Sequence, residues 1–283
     1  MRKWAFRGIF SFILILNLLS CKSQVNSKTQ ALQATDVVEI QIQSPYQNLK
    51  ILRNENQWEG TFLPQNLSES QEKDSFKSYP LDEDRVNLLL DVFLNLGETP
   101  KASDSGEIKL KIKTPSQEKN WTLSKADPLR RFALLPSTEW RSKKVFDQEA
   151  SRIEEIRFPL LTPPLVLIRK EDHWVSPNSP RQKVAQEQIN SLARKISRLK
   201  AQSLAEFVKA SEVGLDPPQA ELIVKFKGDS TEFRVLLGKQ KFQNLYYAEV
   251  KGVADWKDEI FTINQESAEK FRITAAQILE KGE

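Results

Sequence analysis

Histidine and cysteine, two residue types that often carry acid–base or metal chemistry, are scarce in this sequence. Its 283 residues include one histidine, His173, and one cysteine, Cys21. These two side chains are too few for a structural zinc site within one chain, and a single cysteine cannot form an internal disulfide. His173 is the only imidazole for a general base, and no partner for it is visible in the sequence. We therefore expect no enzymatic activity, no metal and no cofactor.

Two further patterns could carry chemistry, and each has a simpler structural interpretation. Gly238-Lys239 follows Gly228 by ten residues instead of the five of a phosphate-binding loop, and neither Ser nor Thr comes after Lys239. We expect a turn that ends a strand there. Trp58 and Trp174 could stack on a ligand, but their equivalent places in an internal repeat favour core positions.

The first 21 residues have the order of a secretory signal. Arg2, Lys3 and Arg7 form a basic start, an apolar run covers residues 9–19, and Cys21 follows a small residue. The run is shorter than the roughly 20 apolar residues that span a bilayer. It resembles a bacterial lipobox, which implies cleavage before Cys21 and acylation of its thiol with chains such as palmitate. The alternative is an ordinary cleaved signal whose cysteine is incidental.

This N-terminus predicts a lipid-anchored protein of the cell envelope. Residues 1–20 would be removed as a signal peptide, and residues 21–36 would form the lipidated cysteine and a polar, flexible tether. Two acyl chains anchor stably because each buried CH₂ contributes about 0.8 kcal/mol. We expect attachment to a bacterial membrane, facing the periplasm or at the cell surface. Loss of three cationic residues lowers the net charge from +4 to about +1, which gives a nucleic-acid partner no electrostatic support.

The body of the chain contains an internal repeat. A pattern of Arg, Glu and Trp recurs without a gap 116 positions later, as Arg53, Glu55 and Trp58 and then Arg169, Glu171 and Trp174. Apolar residues at helical spacing from Val86 to Leu96 recur from Ile189 to Leu199. Residues 145–146 and 154–158 resemble residues 260–261 and 269–273. We expect the repeated Arg and Glu side chains to be solvated pairs of little energetic weight.

The repeat predicts two tandem homologous domains of class α+β, at residues 37–158 and 165–283, joined by a Pro-rich linker at residues 159–164. In each, an antiparallel sheet carries one packed helix. The alternation of Ile, Leu and Lys over residues 108–113 indicates a strand with one buried and one wet face. Asp82 is the predicted N-cap of the first helix, and Gly97 its end. Further strands are predicted at residues 131–135 and 144–146.

The second domain carries an ordered set of short motifs, which are His173-Trp174, a helix from about Val184 to Leu199, Gly214-Leu-Asp-Pro-Pro218, Leu236-Leu-Gly238 and Tyr246-Tyr-Ala248. The set resembles a bacterial family of domains of unknown function, in which a Trp strand, a helix, a GL-x-P turn, an L-x-G strand and a YY or YA strand follow in that order. Members are typically anchored in the envelope, and many are encoded beside permease and auxiliary subunits of gliding-motility-type ABC transporters. The resemblance implies an accessory role in the envelope. It covers the first domain weakly.

Binding to another protein is therefore the expected activity. Tyr246 and Tyr247 are the candidate interface residues, because tyrosines often anchor interfaces. Residues 245–250 and 108–113 are the candidate sheet edges. We expect a non-enzymatic accessory or interaction subunit of an ABC-type envelope transport system, with permease or auxiliary subunits as partners. The alternative is a lipoprotein that binds a glycan, a peptide or a lipid in a groove between its two domains.

Overall fold

The structure is a computed structural model that describes residues 33–55, 57–63, 76–95 and 108–280. The predicted signal peptide, Cys21 and most of the predicted tether lie outside the described residues, as does Gly97. No helix in the described ranges is long and apolar enough to cross a membrane.

Short strands and a few helices alternate along the chain. The first half contains β1 (Glu39–Gln43), β2 (Asn48–Asn54), β3 (Gln57–Leu63), β4 (Ser78–Pro80), α1 (Glu83–Asn95), β5 (Ile108–Lys113), β6 (Glu118–Leu123), α2 (Arg130–Ala133) and α3 (Ser137–Trp140). The second half contains β7 (Ile153–Phe158), β8 (Leu165–Lys170), β9 (His173–Val175), β10 (Lys183–Val184), α4 (Gln186–Ser197), β11 (Ser203–Leu204), β12 (Ala220–Phe226), β13 (Glu232–Phe242), β14 (Leu245–Lys251), β15 (Ile260–Asn264), α5 (Gln265–Phe271), α6 (Ala275–Ile278) and β16 (Leu279–Glu280). The predicted N-cap is confirmed, since the Asp82 carboxylate accepts a hydrogen bond from the Arg85 N–H at 3.3 Å.

The strands form two large antiparallel sheets, so the fold is mixed α and β. The first sheet has six strands in the order β4-β3-β2-β1-β5-β6. The second has eight, in the order β11-β15-β14-β13-β12-β7-β8-β9, and β10 pairs separately with β16. Each sheet covers a core of its own. Val86, Leu89 and Leu90 of α1 belong to the first core, and Ile189, Leu192 and Ile196 of α4 to the second.

Five strands of each sheet follow the same order. The run β3-β2-β1-β5-β6 of the first sheet corresponds to β9-β8-β7-β12-β13 of the second. The cross-strand pair of Ile40 with Ile51 in β1 and β2 corresponds to the pair of Ile156 with Leu167 in β7 and β8. Both members of the pair are displaced by 116 positions, which is the spacing of the repeat in the sequence.

The repeated Arg and Trp residues make the same contacts in both sheets. Arg53 lies opposite Trp58 with its guanidinium carbon 5.3 Å from the ring centre, and Arg169 lies opposite Trp174 at 4.6 Å. Each arginine also donates to the carbonyl of an alanine in a 3-10 turn before the sheet. Arg53 donates to Ala34 at 3.4 Å, and Arg169 to Ala150 at 3.2 Å. Arg53, Glu55 and Glu171 are exposed, as expected for solvated side chains, but both arginines also stack on an indole and hold the turn before the sheet.

Four of the predicted segments differ from the structure. Residues 154–158, predicted to end the first domain, lie in β7 at the centre of the second sheet, between β12 and β8. Residues 159–164 therefore connect β7 to β8 within one hairpin, instead of linking two domains. Residues 131–135 begin in helix α2 instead of a strand, since an apolar run this short fits either structure. Residues 144–146 form no strand, and Val145 and Phe146 pack in the second core.

The two sheets meet at a cluster of charged and aromatic side chains. The Arg141 guanidinium lies 3.2 Å from the Glu259 carboxylate and 3.9 Å from the ring centre of Tyr79. The Trp256 indole N–H donates to the Lys144 carbonyl at 3.0 Å. Burial raises the pKa of the Tyr79 hydroxyl; the nearby Arg141 opposes this shift and Glu259 adds to it. Residues of the β4 edge of the first sheet thus contact the segment that precedes β15 of the second.

Candidate functional site

The outer face of the second sheet, on the side away from α4, is crossed by residues 207–218. Val213 and Leu215 of this segment bury Leu236 of β13 in a small cluster that is separate from the two main cores. Val208, Ala210, Tyr247 and Ile260 pack around it. The GL-x-P turn, the L-x-G strand and one tyrosine of the YY strand are thus three parts of one surface feature, which we call the outer cluster.

Gly238 allows the segment to approach the sheet. It lies inside β13, and a Cβ atom built on it would overlap the backbone carbonyl oxygen of Val213. The next residue fixes the contact, because the Lys239 N–H donates to that carbonyl at 2.8 Å. The Lys239 side chain then lies over Gly214, whose φ of +70° suits glycine. Gly238-Lys239 is therefore neither a strand-ending turn, as predicted, nor a phosphate loop. Its glycine permits close backbone packing.

Phe207 stands at the start of this segment with its side chain fully exposed, at 101 % of its reference area. Its φ is +63°, a conformation that costs a bulky residue about 1–2 kcal/mol. Neighbours on both sides hold it there: the Ala205 N–H donates to the Ile260 carbonyl at 2.8 Å, and Val208 packs on the outer cluster. The fold thus holds a large apolar side chain in solvent.

Ion pairs line the outer face beside the cluster. Glu221 and Glu249 are both buried and flank Leu236 as its cross-strand neighbours on β12 and β14. Arg234 donates to Glu221 at 2.7 Å, and Lys251 lies 3.9 Å from Glu249. The carboxylates are therefore matched by cations on the same face, and their arrangement fits a structural role.

The two candidate interface tyrosines lie on opposite faces of the second sheet. Tyr246 is buried in the main core, with the Arg272 guanidinium 4.5 Å from its ring centre. Tyr247 is partly buried in the outer cluster. Their strand, β14, is not an edge, because it lies between β13 and β15, and β5 likewise lies between β1 and β6. Of the pair, only Tyr247 reaches the outer face.

A groove of about 940 Å³ opens beside the edge strand β9, at the start of α4. Val175, Pro177, Pro180 and Lys183 are among its lining residues. Gln186 closes its inner end: its side-chain amide accepts from the Trp174 N–H at 2.7 Å and donates to the Trp174 carbonyl at 2.9 Å. The amide thus occupies the backbone groups that an incoming strand would use.

The structure places the remaining candidate residues in the core or at the surface. Trp58 and Trp174 are buried, so the prediction of core positions is confirmed. His173 is exposed in the hairpin between β8 and β9. Among the described residues, no group of three or more His, Cys, Asp or Glu side chains could hold a metal ion.

These features define a mixed α and β protein with two antiparallel sheets and an outer cluster on the second. Residues 174–282 match a family described as a domain of unknown function, DUF4340. The match begins at Trp174 and includes the whole outer cluster, and it agrees with the resemblance found in the sequence. No curated protein and no solved structure matches the chain.

Proposed function

We propose that this chain is a non-enzymatic, lipid-anchored protein of the bacterial envelope that works by binding protein partners, as an accessory subunit of an ABC-type transport system. The DUF4340 match at residues 174–282 supports the envelope role through the family resemblance of that domain. Lipidation at Cys21, and with it attachment to the membrane, rests on the lipobox resemblance of the N-terminus.

We also propose that the two sheets are tandem homologous domains. Five strands in the same order and the Ala, Arg and Trp contacts repeated at 116 positions support this duplication. The first domain would then begin at the 3-10 turn of Ala34–Asp36, and the second at the turn of Ala150–Arg152.

The observation that carries the binding role is Phe207. When a partner covers an apolar side chain of this size, its removal from water lowers the free energy of the complex. Aromatic anchors dominate many interfaces. Backbone strain of this kind persists only where its surroundings impose it, and it is concentrated at functional positions. Tyr247 and Ile260 pack in the outer cluster next to the same segment, and packing of this kind lowers the cost of ordering the surface when a partner binds.

We expect a photo-crosslinking amino acid at Phe207 to capture a permease or auxiliary subunit of an ABC transporter in living cells. The bound proteins would be identified by mass spectrometry after the membranes are dissolved in detergent. The same product should be lost when Cys21→Ala removes the acylated thiol, because the soluble chain would no longer be held beside the membrane subunit.

The matched control is the same crosslinker at Phe242, an exposed phenylalanine in the same domain, 59 % accessible, at the end of β13. It should capture none of these subunits. Identical products at both positions, or no transporter subunit at Phe207 in repeated experiments, would rule out this binding surface.

The expected alternative placed a ligand between the two domains, whereas the groove beside β9 is lined only by residues 170–188. This groove favours a second candidate function, the binding of a glycan, a peptide or a lipid. Its volume lies in the range of small-molecule sites. A ligand at 100 times its dissociation constant should stabilise the protein by about 2.7 kcal/mol, which a thermal shift assay detects. Gln182→Trp should fill the groove and remove the shift, whereas Gln202→Trp, at an exposed position that does not line it, should leave the shift intact. If no glycan fragment, peptide or short-chain phospholipid shifts the wild type, this candidate fails.

A further inference from the structure

β6 is the last strand of the first sheet. The equivalent strand of the second sheet pairs with a further strand on the corresponding side. β6 corresponds to β13, since Glu118 to Leu123 align with Glu232 to Leu237 in their pairing with β5 and β12. In the second sheet β14 pairs with the far side of β13, and β15 and β11 follow. Among the described residues, no strand pairs with the far side of β6.

The backbone of β6 presents hydrogen-bonding groups to this open side. The Thr114 N–H donates to the Gln117 carbonyl at 2.8 Å, so these two residues form a hydrogen-bonded pair of the hairpin between β5 and β6. From that pair onward, hydrogen-bonded and non-hydrogen-bonded pairs alternate along the two strands. Residues 119, 121 and 123 therefore pair with β5, and the N–H and C=O groups of Glu118, Asn120 and Thr122 point outward. The side chains of Glu118 and Asn120 are exposed as well.

We infer that the open edge of β6 binds an extended segment of a partner protein, which adds as an antiparallel strand in the place that β14 occupies in the second sheet. This inference deepens the proposed binding function by naming a second surface and the kind of segment that fits it. Strand addition of this kind obtains its affinity from main-chain hydrogen bonds and its specificity from alternate side chains.

The side chains around β6 specify the chemistry of that segment. On the core side, Trp121 packs against Phe93 of α1 at 4.6 Å between ring centres, so an incoming strand meets apolar surface there. On the outer side, Lys109, Lys111 and Lys113 of β5 face a single acid of β6, Glu118, which pairs with Lys111 at 3.0 Å. The partner segment should therefore be apolar on one face and acidic on the other. β14 has the apolar half of this pattern, with Tyr246, Ala248 and Val250 on the core side. Its outer face carries one acid, Glu249, beside Lys251.

A fluorescent peptide with the sequence of residues 243–253, which contains β14, is the probe. We expect it to bind the purified full-length protein in detergent, and to bind Asn120→Pro about tenfold more weakly in fluorescence anisotropy. Proline removes one outward N–H and is tolerated on an edge strand whose N–H faces away from its neighbour. Asn120→Ala, which keeps the N–H, should bind within twofold of the wild type.

Methylation of the peptide backbone provides the second control. The Gln265 N–H donates to the Asn244 carbonyl, so the backbone groups of residue 244 face β15. Successive residues of β14 direct their N–H and C=O groups to alternate sides, so the Val250 N–H points toward β15 and the Glu249 N–H toward β13. N-methylation at the Glu249 position of the peptide should abolish binding to β6, whereas N-methylation at the Val250 position should be tolerated.

Three results would overturn the inference. The first is no peptide binding at millimolar concentration, and the second is binding that Asn120→Pro leaves unchanged. The third is a dimer in sedimentation velocity that Asn120→Pro dissolves, since a second copy of the chain would then fill the edge. None of these results depends on Cys21 or Phe207, so the outcome is distinguishable from failure of the proposed accessory function.

Discussion

Replacing Gly238 with alanine should destabilise the second sheet by about 3 kcal/mol and detach residues 207–218 from its outer face. The added methyl group would overlap the Val213 carbonyl oxygen, which is backbone and cannot rotate away as a side chain can. Urea denaturation would measure the loss of stability. Hydrogen exchange would locate it, because the Lys239 amide that donates to Val213 should lose its protection first.

The matched control is Gly60→Ala, at a glycine within β3 of the first sheet. The atoms nearest to a methyl group there are side-chain atoms of Leu81, which can adjust, and we expect a loss of about 1 kcal/mol. If Gly238→Ala is no less stable than Gly60→Ala, the close backbone approach is not what holds the segment on the sheet. Gly238→Ala also tests the role of Phe207, because a detached segment would no longer hold the Phe207 backbone at positive φ.

The alternation of apolar and charged residues was sufficient to predict several elements. Ile108, Leu110 and Ile112 are buried in β5 while Lys109 and Lys113 remain exposed, as a two-residue period requires. The helical spacing around Ile189 likewise predicted α4. These elements depend on local pattern, which a sequence carries directly.

The position of β7 could not be obtained in the same way. Residues 154–158 share a short Glu, Arg and apolar pattern with residues 269–273, and that likeness assigned them to the end of the first domain. They pair with β8, the next strand along the chain, and with β12, about 70 residues further on, as in the pair of Ile156 with Val224. Pairing at this separation depends on the closure of a long loop, which no local pattern records.

The candidate site was predictable only in part. Successive side chains of a strand point to opposite faces, so Tyr246 and Tyr247 could not share one surface once β14 was predicted as a strand. A glycine inside a strand pattern indicates close backbone approach, which was the available signal for Gly238. Phe207 had no such signal, because its exposure and positive φ result from contacts of Ala205 and Val208 with the sheet.

The two buried tryptophans should each control the stability of their own sheet. Truncation of a buried tryptophan to alanine costs about 3–5 kcal/mol. Trp58 lies in the first core and Trp174 in the second, and the two cores share no buried residue. We therefore expect Trp58→Ala to lower the opening free energy of β1, β2 and β3 by about 4 kcal/mol and to leave β12, β13 and β14 nearly unchanged. Trp174→Ala should have the reverse effect. Hydrogen exchange followed by mass spectrometry, read segment by segment, distinguishes the two.

Trp58→Phe and Trp174→Phe are the conservative controls, because they keep most of the apolar volume and should cost less than half as much. The contacts of Arg141 with Tyr79 and Glu259 and the hydrogen bond from Trp256 to Lys144 are routes by which one sheet could affect the other. They join two cores that share no buried residue, so coupling through them should be weak. If either alanine variant exposes both sheets together, the chain unfolds as one cooperative unit, and the interpretation of two tandem domains is wrong. If each variant opens one sheet, the repeated Arg and Trp contacts are equivalent supports of two independent cores.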